Sequence, residues 1–297
     1  MAYELFHDDC LKWLSQREDN SIHAVVTDPP FGMREYTPKE LSKLRAGRGG
    51  IWRIPPKIGG TKRAPLPRFT VLTDADIKAV AEFFYKWGLE IVRVLVPGGH
   101  LFIASNPLIS HVIYCALEKA GLEKRGEIIR VVRTLRGGDR PKGYEEAYKE
   151  VSVIPRACYE PWGLFRKPLE GKVADNLRKW GTGALRRWQV DKPFPDLIYS
   201  TRTPKEEKAI APHPSLKPQK FMRLLVYASL PLGKGIVLDP FMGAGSTIAA
   251  AEAVGYDSIG IEIDKEYFKI AQEAIPKLSS ISTGLPFETK AMPLELE

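Results

Sequence analysis

The feature that most narrows what this chain can fold into lies near its end. Gly235-Ile236-Val237-Leu238-Asp239 is an apolar, β-branched run, and Pro240-Phe241-Met242-Gly243-Ala244-Gly245-Ser246-Thr247 is a turn rich in small residues. Ile248-Ala249-Ala250-Ala251-Glu252-Ala253 is a strong helix start, and Ser258-Ile259-Gly260-Ile261-Glu262-Ile263-Asp264 a second strand ending in acids. This is a βαβ unit, the building block of an open α/β sheet. Small residues let a ligand approach the backbone closely, and the helix N-terminus offers free N–H groups. An acid about 20 residues beyond the glycines suits the two vicinal hydroxyls of a ribose, which makes Glu262 a candidate. The third glycine of a dinucleotide fingerprint is missing, which argues against a nicotinamide cofactor. The plain alternative is a helix–strand junction that needed small residues.

A second stretch, Thr27-Asp28-Pro29-Pro30-Phe31-Gly32, follows the buried-strand pattern His23-Ala24-Val25-Val26. It therefore sits at a strand's C-terminal end, where open α/β sheets place their chemistry. Two consecutive prolines have no N–H to donate and hold a rigid turn, so a carboxylate, a carbonyl and an aromatic ring are kept together. That set suits a flat ring with an exocyclic amine: Asp28 and the Pro29 carbonyl accept its N–H bonds, and Phe31 stacks on its face. The ordinary reading is a proline-rich turn with Phe31 in the core.

Asp28-Pro29-Pro30-Phe31 and the loop from Asp239 to Thr247 together resemble the amino-group DNA methyltransferases that use S-adenosylmethionine. The catalytic motif precedes the cofactor loop, as in the β class of that family. His213-Pro214-Ser215-Leu216-Lys217-Pro218 is similar to the family's segment near the methionine end of the cofactor, and Asp8-Asp9-Cys10-Leu11 to its acidic turn near the adenine. The resemblance implies an α/β fold, a circularly permuted Rossmann-like methyltransferase sheet with helices on both faces and an inserted DNA target-recognition region. It assigns Asp28, Pro29, Pro30 and Phe31 to catalysis. Asp9, Asp239, Phe241, Gly243, Gly245, Ser246, Thr247, Glu262, His213 and Lys217 fall to the cofactor S-adenosylmethionine. Adenine N6 is the favoured target because Asp precedes the double proline. Cytosine N4, an RNA substrate and a noncatalytic DNA-binding subunit are the alternatives. Cytosine C5 chemistry is disfavoured, since no cysteine follows a proline at a strand end.

Charge distribution bears on the partner. The 297 residues carry a formal net charge of +8, and it is concentrated. Residues 33–70 hold ten Lys/Arg against two acids, and residues 124–208 hold twenty against twelve. Residues 33–70, dense in glycine and proline, read as a mobile basic loop over the catalytic half, residues 1–168. Residues 169–211 form the expected target-recognition region, with Arg178, Lys179, Arg186 and Arg187 beside tryptophans as groove readers, joined by Arg136 and Arg140 from the preceding polar segment. The cofactor-binding half is placed at 212–280 and a tail at 281–297. Double-stranded DNA is the expected partner, with a cognate restriction endonuclease and a homodimer as further family associations. Three cysteines without ligand spacing predict no metal site. A chain with no signal segment and no long apolar run is expected in the cytoplasm, at the nucleoid, and not in a membrane.

Overall fold

A computed structural model describes residues 3–30, 57–58, 61–62, 73–133, 140–141 and 143–288. Phe31, Arg136, nearly all of the basic stretch 33–70 and the end of the tail lie outside the described residues. In chain order the strands are β1 (Tyr3–His7), β2 (Ile22–Thr27), β3 (Lys57–Ile58), β4 (Thr61–Lys62), β5 (Leu95–Ala104), β6 (Glu123–Val131), β7 (Tyr159–Arg166), β8 (Leu197–Tyr199), β9 (Ile236–Asp239) and β10 (Asp257–Glu262). The helices are α1 (Cys10–Gln16), α2 (Asp74–Val94), α3 (Ser110–Lys119), α4 (Val173–Trp180), α5 (Lys205–Ile210), α6 (Gln219–Ser229), α7 (Ser246–Val254) and α8 (Lys265–Ser280).

Eight strands make one sheet in the order β1-β10-β9-β2-β5-β7-β6-β8, while β3 and β4 pair only with each other. β7 runs antiparallel to both of its neighbours, and the other pairings in the sheet are parallel. The catalytic strand β2 thus lies between the cofactor strand β9 and β5, at the centre of the sheet. Its run Ala24-Val25-Val26-Thr27 shows no polar alternation because both faces are covered. Val25, Leu101 and Ile103 pack with residues of α1, α2 and α3 on one side. Ala24, Val26, Phe102 and Ala104, one residue out of phase, pack with α6 and α7 on the other.

Three segments show how the sheet takes up irregular sequence. Pro97-Gly98-Gly99, which reads as a turn before a strand at His100, lies inside β5; Gly98 takes φ +77° and the register slips between Ile22 and Ala24, so the sheet absorbs the irregularity as a bulge. Residues 169–211, expected as an inserted recognition region, are attached to the sheet at two points. β8 adds an eighth strand beside β6, and α4 is fastened beneath β5 by Asn176, whose fully buried amide bonds Pro97 O at 2.9 Å and Thr182 O at 2.9 Å. The tail after Pro276, expected either to fray or to pack against a neighbour, stays helical to Ser280 and then folds back. Phe287 stacks on Tyr227 with ring centroids 3.8 Å apart, and Glu288 pairs with buried Arg223 at 2.7 Å. Among the described residues no helix is long and apolar enough to cross a membrane.

Candidate active site

Asp28 leaves the end of β2, beside buried Pro29 and exposed Pro30. Its Oδ2 accepts an unusually close bond from Lys217 Nζ. Its Oδ1 is buried and has no hydrogen-bond partner among the described residues. An unpaired buried acceptor costs about 1–3 kcal/mol, so the site is built to receive a donor there. Lys217 Nζ also lies 3.6 Å from Glu160 Oε2 on β7. Glu160 Oε1 in turn accepts from Trp162 Nε1 at 2.8 Å and from Arg130 Nη1 of β6 at 3.5 Å. Two carboxylates and two cations thus alternate across β2, the 213–218 segment, β7 and β6. Burial pushes the Asp28 carboxyl above its usual range, although the Lys217 ammonium pulls the other way. Burial also opposes ionisation of Glu160, but there the Lys217 and Arg130 cations prevail and hold it below its usual range. Lys217 is raised against its burial by the two carboxylates.

The neighbouring strand end is tied to this one. Thr27 Oγ1 donates to Asp239 Oδ1 at 2.6 Å, and Phe241 N donates to the same oxygen at 3.1 Å. Burial lifts Asp239 to about 6, resisted by its bonds from Thr247, Thr27 and Phe241. Asp239 and Thr27 therefore latch the cofactor strand to the catalytic strand, Thr247 of α7 bonds Asp239 as well, and Phe241 turns its ring onto Trp87 of α2, centroids 5.8 Å apart. Gly243 and Gly245 have φ of +52° and +86°, so the turn itself requires glycine. A Cβ on Gly243 would come within 3.2 Å of the His213 ring, and one on Gly245 within 2.5 Å of Ile275. The His213 ring thus lies close against the Gly243 backbone, whose N–H donates to Glu262 Oε2 at 2.8 Å. Glu262 Oε1 accepts from Asp264 N at 2.7 Å. These two bonds orient the carboxylate, and each oxygen keeps a lone pair for a further donor. His213, against Tyr267 with centroids 4.4 Å apart, is drawn down to about 4 by burial, aided by the Lys217 charge, and is neutral near pH 7. Across the loop, Asp9 caps α1 through Oδ1, which accepts from Leu11 N at 2.9 Å and Lys12 N at 3.0 Å. Asp8 N meets Glu262 O at 3.2 Å, so the acidic turn, Glu262, Gly243 and His213 ring one mouth at the carboxyl end of the sheet. Ser246 begins α7 there, and its carbonyl accepts from Gln219 Nε2 at 3.0 Å. The rim of acceptors and the glycine backbone fit a nucleoside with a ribose diol and an adenine amine.

The basic residues divide. Arg140 lies in the segment that follows the carboxyl end of β6, and its Nε bonds Lys149 O at 3.1 Å. Arg178, Lys179, Arg186 and Arg187, expected to read grooves, lie at the opposite end of the sheet. Arg178 pairs with Asp175 and Lys179 with Glu170 on the helix fastened to Pro97. Arg186 donates to the hydroxyl of Tyr256, just before β10, at 2.7 Å, and Arg187 to Val190 O at 3.1 Å. From Pro97 to Ala104 a strand covers about 23 Å, so these four residues are far from Asp28. Lys217, which the resemblance places near the methionine end of the cofactor, bonds Asp28. Glu160 and Arg130 were not singled out by sequence; the available signal was an acid inside the apolar and aromatic strand Tyr159-Glu160-Pro161-Trp162.

Comparison with known proteins agrees with this geometry. The N6/N4 family model described as DNA methylase matches residues 22–273. The Type II methyltransferase M2.LlaDCHI of Lactococcus lactis subsp. cremoris is 33% identical over 277 residues, covering 92% of this chain and 89% of that one. Among solved structures, a DNA modification methylase from Thermus thermophilus, TTHA0409, complexed with S-adenosyl-L-methionine, superposes with a TM-score of 0.54 at 20% identity, over 93% of this chain and 94% of that one. PvuII DNA methyltransferase, cytosine-N4-specific, superposes with a TM-score of 0.59 at 12% identity, over 95% and 89% of the two chains. The chain belongs to the S-adenosylmethionine-dependent amino-group DNA methyltransferases of the N6/N4 class.

Proposed function

We propose that this enzyme methylates N6 of adenine in double-stranded DNA, with the target base turned out of the helix into the pocket beside Asp28. The observation that carries the choice of an amine is the buried Oδ1 of Asp28 at the end of β2, which has no hydrogen-bond partner among the described residues. Asp before the double proline is what favours adenine over cytosine. S-adenosylmethionine supplies an electrophilic methyl group on a sulfonium. In this reading Glu262 and Asp9 hold its ribose and adenine, Gly243 and Gly245 admit it to the backbone, and His213 closes over the loop. Asp239, Thr247, Ser246 and Phe241 act behind them by fixing the shape of the loop.

The amine of adenine is a poor nucleophile because its lone pair is delocalised into the ring. Asp28 Oδ1 and the Pro29 carbonyl accept its N–H bonds and stabilise the positive charge that grows on nitrogen as the new N–C bond forms. The proton leaves after transfer, when the methylated amine is acidic. Phe31, next in the chain, is assigned to stacking on the base, which offsets part of an unstacking cost of a few kcal/mol.

The loops at the carboxyl end of the strands make the DNA face. Here Arg140, Arg156 and Arg202 accompany exposed Tyr144, Tyr148, Val153 and Tyr199. Self-association and a cognate restriction endonuclease belong to the same proposal, as does residence at the nucleoid. The deciding test is incubation with duplex DNA and labelled S-adenosylmethionine, followed by separation of nucleosides. Label in N6-methyladenine is expected; label only in N4-methylcytosine would reassign the base.

A further inference from the structure

We propose that Glu160 is a positioning residue that holds Lys217 on Oδ2 of Asp28 and so leaves Oδ1 free for the target amine. The inference rests on the reading of Asp28 as the amine acceptor. Its basis is the order in which the charges meet. Lys217 Nζ stands between Asp28 Oδ2 and Glu160 Oε2, 3.6 Å from the latter, and its side chain is only 10% exposed. Glu160 is itself fixed by Trp162 Nε1 at 2.8 Å and Arg130 Nη1 at 3.5 Å. Arg130 is fixed by Ser200 Oγ and Thr201 O, both at 3.1 Å, and sits over the Phe221 ring at 5.0 Å. The chain of charges is anchored at the end remote from Asp28.

An ammonium has three donors on a flexible four-carbon stem. Left with Asp28 alone, it would straddle both carboxylate oxygens and compete with the base for Oδ1. A second carboxylate on its far side draws it off that position. The arrangement also balances charge, two anions against two cations, so a buried carboxylate remains available without a net charge in the pocket. Among the described residues, Lys217, Glu160, Arg130 and the neighbouring Asp239 are the charged groups that act on Asp28, and His213 faces Lys217.

The test is the single-turnover methylation rate from pH 5 to 9, at saturating S-adenosylmethionine and duplex DNA, for wild type, Glu160→Gln, Glu160→Asp and Lys217→Met. Glutamine keeps an acceptor for Trp162 and removes only the charge. Its rate is expected to fall between about tenfold and 10²-fold, because Lys217 then covers Oδ1. At the same time its acid limb moves to lower pH by about one unit, since Asp28 loses an anionic neighbour and gains the whole ammonium. Lys217→Met moves the limb the other way, and Glu160→Asp recovers part of the rate. An acid limb for Glu160→Gln that coincides with wild type or moves upward would overturn the proposal. Should that variant lack a folded circular dichroism spectrum, a limb for Lys217→Met at or below wild type overturns it instead. A wild-type enzyme that labels no amine in DNA would defeat the functional reading itself, a distinct result from a wild type that methylates normally and is indifferent to Glu160.

Discussion

The two ends of the sheet carry similar residues and use them in opposite ways. At the amino end, around Pro97, Arg178, Arg186 and Trp180 each have a partner within the chain: Arg178 pairs with Asp175 at the surface, Arg186 bonds the Tyr256 hydroxyl, and the Trp180 indole donates to Glu170 at 2.8 Å. At the carboxyl end the same residue types surround an acceptor left open, Asp28 Oδ1. Parallel strands explain the difference. Their carboxyl ends release loops from several neighbouring strands into one crevice, whereas the amino ends are reached by chain that is already packing against the sheet.

The largest expected effect lies at the open end. Asp28→Ala should lower the single-turnover rate by at least about 10³-fold, while gel-shift affinity for duplex DNA stays near wild type; an intact rate would remove Asp28 from the chemistry. At the closed end the matching experiment is Asn176→Ala. It strips the buried amide from Pro97, Thr182 and Glu170 N and should cost about 2–4 kcal/mol in denaturant unfolding. The rate per folded molecule should be unchanged, and a loss of rate would mean the two ends are coupled.

Asp239, the latch beneath the open end, gives a pH-dependent case. Its folded value of about 6 lies above the unfolded value, so the native state holds the extra proton. Wild-type stability from this group is full below about pH 4 and is lost as pH rises toward 6, a change of roughly 2–3 kcal/mol. Asp239→Asn keeps an oxygen for Thr27 and Phe241 and removes the titration. Its stability relative to wild type should therefore climb between pH 4 and 6, and parallel curves would refute the shift.

The smallest effect sharpens the comparison for DNA. Arg140→Ala with Arg156→Ala should flatten the salt dependence of binding by about 0.9 in slope for each phosphate left without its arginine. The double change Arg178→Ala with Lys179→Ala should leave the slope alone. The reverse result would place the duplex at the amino end.

Much of this protein was legible in its sequence because the signals are local. A β-branched run before Asp28 fixes a strand end, and glycines at 243 and 245 are demanded by positive φ whatever surrounds them. Capping is local too, so Asp9 and the 73–76 box at the head of α2 follow from spacing of two or three residues. What only the tertiary structure decided depends on which distant segments share a strand end. The assignment of Lys217 to Asp28 spans 189 residues, and the bond from Thr27 to Asp239 spans 212. Glu160 and Arg130 acquire meaning only when β7 and β6 pair in register, which sets Arg130 opposite Glu160. The sheet likewise decided that the segment around Asn176 and Thr182 is fastened to Pro97. Sequence by itself determined the strand ends, turns and caps, because these are set by the backbone preferences of a few adjacent residues. Only the fold decided which charges face each other, because a buried charge is stabilised by whatever partner the sheet brings within reach, however far away in the chain.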